Sequence, residues 1–302
     1  MIKYLKYKIK SLLNFNKRQL GEVQIELAKK NYNKIENIRD AEIKIFSQFG
    51  EDGIINFLLH KLGLNEKIKF IEIGTGDYEE ANTRFLCESR ICEGLLIDKI
   101  DDLKFIKKRD FYWKNDLYFY QKMINSKNIS SVIKDFGFES NCNLLSLDID
   151  GNDYWVLKNI NLETTDMVIV EYNPLFGSNL SITIPEDDNF DRNNNNKLFY
   201  GASLRAMIDL LDQKNFFFIG ANKACNNGFF INNKYKSNFS DIKINNLKKY
   251  TDFTFRELKK NSVKENAISY LVNLIDHCEI YNLKSKKIIK IKEIKETLIN
   301  DR

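Results

Sequence analysis

Residues 70–77 read Phe70-Ile71-Glu72-Ile73-Gly74-Thr75-Gly76-Asp77, a strand-like run that ends in a Gly-x-Gly turn. A helical segment follows from about residue 81, and a second apolar strand, Leu95-Leu96-Ile97, ends on Asp98. In doubly wound α/β domains such glycines let the backbone approach a ligand, and an acid at the tip of the second strand binds ribose hydroxyls. The two segments therefore predict a site for an adenosine-containing cofactor.

The residues after the turn favour one such cofactor over another. A dinucleotide site normally has a third glycine near position 79, where a helix N-terminus receives the pyrophosphate. This chain has Glu79 there, with Glu80 beside it and Asp77 just before. We expect three carboxylates to repel a pyrophosphate and to tolerate the sulfonium cation of S-adenosylmethionine. The sequence thus favours S-adenosylmethionine, and an NAD-dependent oxidoreductase is the weaker alternative.

Composition indicates an ordered protein of a reducing compartment. The 302 residues are 43% hydrophobic and 13% aromatic, which suffices for a substantial core. The five cysteines form no Cys-x-x-Cys pair, and no signal peptide or long apolar run is recognisable, so we expect free thiols and a cytoplasmic location. The net charge of +5 comes from lysines interspersed with acids, so we expect no nucleic-acid partner.

Residues 1–45 are predicted to form a basic, helical N-terminal extension. The first 20 residues contain six Lys or Arg and no acid, and their apolar residues fall on one helical stripe: Ile2, Leu5, Ile9, Leu12 and Leu13. Such a helix can rest on an anionic membrane surface, which would place the protein at the inner face of a membrane, or against a partner. It can also pack on its own domain, which is the interpretation that we favour.

From residue 68 onward, strand-like segments alternate with helical ones. The predicted strands are residues 68–73, 94–98, 110–114, 143–148 and 167–172, with helices at 81–90, 129–136 and 153–160. This alternation predicts an α/β fold with a doubly wound, mostly parallel sheet, in which ligands bind beyond the carboxyl ends of the strands. A helix at 203–213 and strands at 216–221 and 228–232 would add a terminal antiparallel hairpin and complete seven strands. Residues 46–232 form the predicted domain.

Two segments interrupt or follow this pattern. Residues 173–199 contain both prolines, an acidic patch and four consecutive asparagines, which is typical of a functional lid or a disordered insertion. Residues 233–302 are rich in Lys and Asn and are predicted to form a mainly helical C-terminal appendage, with helices at 263–275 and 286–299.

Carboxylates cluster at the predicted ends of two strands. Asp148 and Asp150 lie two residues apart, hence on the same side of a strand end, and Glu171 and Asn173 end the following strand. Oxygen ligands of this kind suit Mg²⁺, Mn²⁺ or Ca²⁺. Asp148, Asp150 and Glu171 are therefore candidate ligands of a divalent cation.

A bend with a helix cap, formed by residues 150–153, is the alternative interpretation of this run. It does not account for Asp148, which lies within an apolar strand. The chain has only two histidines, His60 and His277, and neither follows a predicted strand of the sheet. A carboxylate or a metal-bound alkoxide is therefore the expected device for activating an acceptor hydroxyl.

These residues resemble the FkbM-like group of S-adenosylmethionine-dependent methyltransferases, especially bacterial relatives found among surface-glycan genes. The resemblance rests on an ordered set of short pieces between about residues 45 and 232: Ser47–Asp52, Glu72–Gly76, Asn82–Leu86, Ile124–Ile129, Leu145–Trp155, Glu171–Asn173, Tyr200–Leu204 and Asn227–Phe230. It implies a class I, Rossmann-like methyltransferase fold and methyl transfer to an oxygen, commonly on a sugar or a secondary metabolite.

The same resemblance implies roles for individual residues. The predicted cofactor-binding residues are Ser47, Gln48, Glu72, Gly74, Gly76, Asp98, Asn128 and Asp148. The predicted catalytic residues are Asp148, Asp150, Glu171 and Asn173. We therefore expect an O-methyltransferase of a small-molecule or glycan acceptor in polysaccharide biosynthesis, assisted by carboxylates or by a divalent cation such as Mg²⁺. The alternative is a catalytically silent binding or assembly module with the same fold.

Overall fold

The computed structural model describes residues 2–99, 106–195, 197–252 and 267–301. Seven strands form one sheet: β1 (Ile68–Ile73), β2 (Cys92–Ile97), β3 (Asp116–Tyr120), β4 (Leu144–Leu147), β5 (Met167–Glu171), β7 (Phe216–Ala221) and β8 (Asn227–Asn232), while β6 (Ile182–Thr183) belongs to a second sheet. Their spatial order is β3-β2-β1-β4-β5-β8-β7. Strands β1 to β5 pair in parallel, and β8 runs antiparallel to both β5 and β7. The predicted seven-stranded class I methyltransferase fold is confirmed.

Helices cover both faces of this sheet, and each face has its own apolar core. The helices of the domain are α2 (Glu51–Lys61), α3 (Arg84–Ser89), α4 (Ile129–Asp135), α5 (Asp153–Lys158) and α6 (Leu204–Gln213). Side chains of α4, α5 and α6 share one core with the sheet, and side chains of α2 and α3 share the other. The strands alternate between these cores, as a sheet buried on both faces requires.

Strand register brings the predicted site residues to one edge of the sheet. Ile73 at the end of β1 pairs with Ile97 of β2 and with Leu147 of β4. The next residues of these strands, Gly74, Asp98 and Asp148, therefore leave the sheet side by side.

The third strand lies later in the chain than its sequence predicts. Residues 110–114, predicted as a strand, form a 3-10 helix, and β3 begins at Asp116. Asn115 determines this boundary, because its side-chain oxygen accepts a hydrogen bond from Cys92 N (2.7 Å) while its amide donates to Phe111 O (2.6 Å). The aromatic run favoured a strand by propensity, but the polar contacts of one asparagine hold it in a turn.

Helix α1 (Ile2–Lys29) packs one face against the domain. Ile25 is buried, Gly21 lies against Ile45, and Lys17 Nζ is 4.9 Å from the centroid of the Phe46 ring. These contacts agree with the interpretation that the N-terminal helix packs on its own domain.

The opposite face of α1 exposes a stripe of apolar side chains: Ile9, Leu12, Leu13, Leu20, Val23 and Leu27. The predicted stripe also included Ile2 and Leu5, whose side chains lie outside the described part of the structure. Within residues 2–99, 106–195, 197–252 and 267–301, no helix combines the length and apolarity needed to span a bilayer. Contact with a membrane surface stays a prediction.

A three-stranded sheet joins the segment 173–199 to the C-terminal region. Strand β6 pairs with β9 (Glu279–Asn282), which pairs antiparallel with β10 (Lys287–Lys290). The predicted helix 286–299 is therefore wrong at its start, since the final helix α8 spans Ile291–Asn300. The cause is a tight turn: Asn282 accepts hydrogen bonds from Lys284 N (3.1 Å) and Ser285 N (3.0 Å), which reverses the chain before residue 287. Of the predicted helix 263–275, residues 267–274 form helix α7, and residues 263–266 lie outside the described residues.

The segment 173–199 is ordered through a third apolar core. Its side chains pack with those of α7, β9 and α8 in a cluster that includes Leu175, Phe176, Ile182, Ile184, Leu198, Phe199, Leu271, Val272, Ile280, Ile291 and Leu298. The Asp301 carboxylate adds an anchor, because it accepts hydrogen bonds from Ser178 N (2.6 Å) and Asn179 N (2.7 Å). This segment and the C-terminal region therefore fold together.

Candidate functional site

A cavity of about 640 Å³ opens at the carboxyl edge of the main sheet. Its walls include Gly74, Gly76, Asp98, Asp148, Asp150 and Arg192. One side is formed by the turns that follow β1 and β2, and another by the turn that follows β4. The structure thus brings four of the eight predicted cofactor residues, Gly74, Gly76, Asp98 and Asp148, into one pocket. Of the predicted catalytic residues, Asp148 and Asp150 line it.

The glycine turn forms one wall of this cavity. Gly74 has φ +88°, and a Cβ atom there would overlap the carbonyl oxygen of Asp148. Gly76 has φ +53°, with open space where its Cβ would lie. Its N–H donates to Asp98 Oδ2 (2.8 Å), so that this acid holds the turn in place from the neighbouring strand. The first glycine is thus required by packing, and the second leaves room for a ligand.

Glu72 lies behind the turn and supports it. Its carboxylate accepts hydrogen bonds from Asn82 N (2.8 Å), from Thr83 N (3.2 Å) and from the Thr83 hydroxyl. Burial raises the pKa of Glu72 to about 7. The carboxylate thereby ties β1 to the start of α3, which begins at Arg84 rather than at the predicted residue 81. The structure places Glu72 as a support for the turn.

Ser47 and Gln48 do not line the cavity in this conformation. Ser47 is buried, and its hydroxyl donates to Asp52 Oδ2 (2.8 Å), which also accepts from the N–H groups of Ile45 and Phe46. Burial raises the pKa of Asp52 to about 6. The run 47–52 is thus a loop organised by Asp52, and Gln48 is exposed at its surface.

Asn128 acts at one remove from the cavity. Its side-chain oxygen accepts from Asn125 N (2.8 Å), and its amide donates to Met123 O (3.2 Å). Met123 and Ile124 line the cavity. The structure therefore places Asn128 as the residue that shapes this part of the wall.

Three carboxylates meet beside the cavity, two of which line it. Asp148, Asp150 and Glu171 each offer an oxygen, and these oxygens lie within 4.8 Å of one another. Asp150 adopts φ +58°, a conformation that turns its side chain back toward β4 and β5. Glu171 is buried, with a relative exposure of only 5%, and no hydrogen-bond donor reaches its Oε2. The predicted metal-ligand set is thus assembled by the fold.

Burial and mutual repulsion raise the pKa of two acids in this cluster, Asp148 and Glu171. The pKa of Asp148 rises from 3.8 to about 8, chiefly through burial and then through Asp150 and Asp153. Burial, followed by the charge of Asp148, raises the pKa of Glu171 well above its ordinary value. Two neighbouring carboxylates in a low dielectric share a proton because both cannot be charged cheaply. The raised pKa values of Asp148 and Glu171 have this physical cause.

Two neighbouring polar residues serve the backbone. Asp153 accepts from Ile149 N (2.9 Å) and Gly151 N (2.9 Å), which closes the turn after β4. The Asn173 amide donates to Leu198 O (2.9 Å) and Tyr200 O (3.1 Å), so it joins the two ends of the segment 173–199. The structure does not bring Asn173 into the carboxylate cluster.

Arg192, which the sequence did not single out, completes the cluster. Its Nη1 binds Asp150 and lies 3.9 Å from Glu171 Oε1. Its guanidinium carbon lies 3.6 Å from the centroid of the Tyr200 ring, and its Nε donates to Lys197 O (2.8 Å). Its position in an asparagine-rich stretch concealed this role. A lone arginine within an acidic segment is the one signal that could have indicated it.

Glu79 corrects one step of the sequence argument. Its carboxylate binds Lys10 Nζ (3.0 Å), Arg84 Nη1 (3.0 Å) and Arg109, and it lines a separate cavity of about 430 Å³ beside α1. Three cations neutralise this acid, so the argument that its charge would repel a pyrophosphate is wrong. Because the glycine turn and Asp98 fit any adenosine-containing cofactor, the preference for S-adenosylmethionine then rests on the missing third glycine and on the family resemblance.

Comparison with known proteins gives only distant similarities. No protein-family model matches the sequence, and no curated protein matches it. The solved structures with a similar chain path include the riboflavin-derivative dimethyltransferase RosA from Streptomyces davawensis (14% identity, TM-score 0.33, 55% of this chain and 49% of that chain). They also include the toxoflavin-precursor N1-methyltransferase from Burkholderia thailandensis with bound S-adenosylhomocysteine (11%, 0.36, 70% and 87%). A third is the N-terminal domain of EvdMO1 with S-adenosylhomocysteine and D-fucose (9%, 0.33, 54% and 74%).

The matched region spans about half the length of RosA. At this level of similarity the fold assignment rests on the observed strand order and pairing.

Proposed function

We propose that this chain is an S-adenosylmethionine-dependent methyltransferase whose acceptor is a hydroxyl of a sugar or glycan precursor. One observation carries the proposal: a single cavity joins the glycine turn and Asp98 on one side to the carboxylates Asp148 and Asp150 on the other. This is the carboxyl edge of a parallel sheet, where doubly wound folds bind their ligands. A membership in the FkbM-like group is part of the same proposal.

In this function, the cofactor would supply an electrophilic methyl group on its sulfonium. The open backbone at Gly76 would receive the adenosyl part, and the Asp98 carboxylate would accept hydrogen bonds from ribose hydroxyls. Asp148 would accept the proton of the acceptor hydroxyl as the oxygen–carbon bond forms and the carbon–sulfur bond breaks. Its pKa of about 8 suits a base that works near neutral pH. Alignment of the two reactants would provide the larger part of the rate enhancement.

The carboxylate cluster also fits a divalent cation. Its donors are all hard oxygens, and Glu171 Oε2 is buried without a hydrogen-bond donor. Asp148, Asp150 and Glu171 would hold such an ion, which would lower the pKa of a bound acceptor hydroxyl. The part of the proposal that concerns S-adenosylmethionine does not depend on this cation.

A silent binding or assembly module is the second candidate. The exposed apolar stripe of α1 favours it, because that surface offers a docking face that methyl transfer does not use. A cytoplasmic location fits both candidates, since all five cysteines are free and buried.

Calorimetric titration with S-adenosylmethionine and S-adenosylhomocysteine, with and without Mg²⁺, tests the proposal. We expect micromolar binding, weakened about tenfold by Asp98→Asn through loss of a charge-assisted hydrogen bond. Asp77→Asn is the matched control, because Asp77 follows the same turn but lines the other cavity. Absence of binding by the wild-type protein in both conditions would favour the silent module.

Transfer itself is tested with a labelled methyl donor and a panel of sugar nucleotides. We expect label in one sugar and none with Asp148→Asn. Undiminished transfer by Asp148→Asn would remove that residue from the mechanism.

A further inference from the structure

The Arg192 side chain contacts two of the three acids of the carboxylate cluster. Arg192 Nη1 binds Asp150 and lies 3.9 Å from Glu171 Oε1, two of the three groups that a cation would coordinate. The Tyr200 ring also contacts this side chain, since its centroid lies 3.6 Å from the guanidinium carbon. The guanidinium therefore sits against the oxygens that form the candidate cation site.

The backbone around Arg192 is tied down independently of this contact. The Asn152 amide donates to Asp187 O (2.7 Å), and Asp187 N donates to Asn152 Oδ1 (3.3 Å). The Phe190 ring covers Gly151 so closely that a Cβ there would lie 2.7 Å from it. These anchors hold the chain close to the turn after β4, so the long Arg192 side chain can leave the carboxylates without the backbone leaving the pocket.

Charge and space together exclude joint occupancy. A guanidinium supplies one positive charge and hydrogen bonds, whereas a divalent cation supplies two charges and requires direct contact with the same oxygens. Glu171 Oε2, buried and without a donor, shows that Arg192 leaves part of the acceptor capacity of the cluster unused. A cation in contact with both Asp150 and Glu171 would face an adjacent guanidinium of like charge.

We propose that Arg192 and a hard divalent cation compete for Asp148, Asp150 and Glu171, so that Arg192 weakens cation binding and leaves the cluster when a cation binds. This inference rests on the proposed function only in taking the cavity to be the site of methyl transfer. It makes Arg192 a positioning residue that determines whether the acceptor side of the cavity carries one positive charge or two.

Mn²⁺ binding measured by electron paramagnetic resonance tests this competition without any methyl transfer. We expect Arg192→Gln to bind Mn²⁺ about tenfold or more tightly than the wild-type protein, because a like charge beside the ion is removed. Lys122→Gln is the matched control, since Lys122 lines the same cavity and its loss changes the net charge equally. The control should differ little from wild type.

Asp150→Asn in the Arg192→Gln background should abolish the gain in Mn²⁺ affinity, which locates the ion at the cluster. Equal or weaker Mn²⁺ binding by Arg192→Gln, or an equal gain in Lys122→Gln, would overturn the proposal. Absence of Mn²⁺ binding by every variant would overturn it as well.

Modification of Arg192 by phenylglyoxal, followed by peptide mass spectrometry, gives a second measurement on the wild-type protein that needs no variant. Saturating Mn²⁺ should accelerate this modification, because the guanidinium released from the carboxylates becomes available to the reagent while the backbone stays anchored. A rate unchanged by Mn²⁺ binding would contradict the displacement of Arg192.

Calorimetry with S-adenosylhomocysteine separates the two proposals. If S-adenosylhomocysteine binds but Arg192→Gln shows no gain in Mn²⁺ affinity, the competition is overturned and the proposed function is left intact. If Arg192→Gln shows the expected gain but S-adenosylhomocysteine does not bind, the proposed function is overturned and the competition is left intact.

Discussion

Asp148 and Glu171 are single residues whose burial makes the stability of the protein depend on pH. Burial raises the pKa of Asp148 from 3.8 to about 8, and it raises the pKa of Glu171 well above its ordinary value. An acid whose folded-state pKa exceeds its unfolded one binds more protons when folded. The contribution of these two acids to stability must therefore fall as the pH rises from about 4 through the folded-state pKa of Asp148, at about 8. Sites that perturb acids in this way are common where proton transfer is catalysed.

Replacing Glu171 by Gln should make stability less dependent on pH. The variant loses one of the two repelling acids, so its free energy of unfolding at about pH 8 should exceed that of wild type by on the order of 1 kcal/mol, and the difference should shrink toward pH 5. Urea unfolding across this range measures it. Glu163→Gln, at an exposed site, is the control and should follow wild type. Parallel curves for wild type and Glu171→Gln would mean that the two acids share no proton.

Residue types in this site were readable from the sequence, but the directions of their side chains were not. Gly74, Gly76, Asp98, Asp148 and Asp150 all reached the predicted cavity because strand ends fix their positions. The run 47–52 and Glu79 gave no such geometric constraint. Their side chains turned to partners elsewhere in the fold, and only the assembled structure reveals such partners.

The turn between β1 and α3 is the element on which the cavity depends. Gly74→Ala should destabilise the protein by more than about 2 kcal/mol, because its φ of +88° is strained for alanine and its Cβ would overlap the Asp148 carbonyl. Gly63→Ala is the matched control, with φ +73° and open space around it, and should lose only about 1 kcal/mol. Thermal or urea unfolding compares them. Equal losses would show that the close approach of β1 to β4 contributes nothing.

Strands and helices were predictable where the period of the hydrophobic pattern and the length of the segment indicated the same structure. Strands β1, β4 and β5 are short apolar runs buried on both faces, and their predicted bounds differ from the observed ones by one residue at most. The predictions at 110–114 and 286–299 failed because the side-chain oxygen of Asn115 or Asn282 accepts a backbone hydrogen bond that determines where the chain turns. Such capping contacts compete with periodicity and leave little trace in composition.

At the scale of the molecule, the segment 173–199 acquires order from a region about a hundred residues later in the chain. β6 pairs with β9, and the two regions share one apolar core. The sequence showed a long polar loop and a lysine-rich tail, neither of which forms a core alone. Because β6 has only two residues, the alternation of apolar and polar residues could not predict that it pairs with β9. Arg192 reaches the carboxylates only because this joint fold anchors its segment, which is why that residue was missed.

Helix α1 supports a prediction about the surface of the whole molecule. Leu12 and Leu13 are 61% and 62% exposed, and the chain before them is basic, whereas Leu20 and Leu27 lie beside Glu22 and Glu26. Apolar insertion and attraction to anionic lipid, each basic residue contributing about 1 kcal/mol, should act together only in the first half of the helix. We therefore expect the protein to sediment with anionic vesicles more than with neutral ones, and less so at high salt.

Paired substitutions separate membrane contact from self-association on this helix. Leu12→Gln with Leu13→Gln should abolish sedimentation with anionic vesicles, and Leu20→Gln with Leu27→Gln should reduce it far less. If the stripe instead joins two copies of the chain, the second pair should shift the sedimentation velocity of the protein alone, because Leu13, Leu20 and Leu27 recur every seven residues along the exposed face. Equal sedimentation with anionic and neutral vesicles would contradict the membrane prediction, since charge would then play no part in the contact.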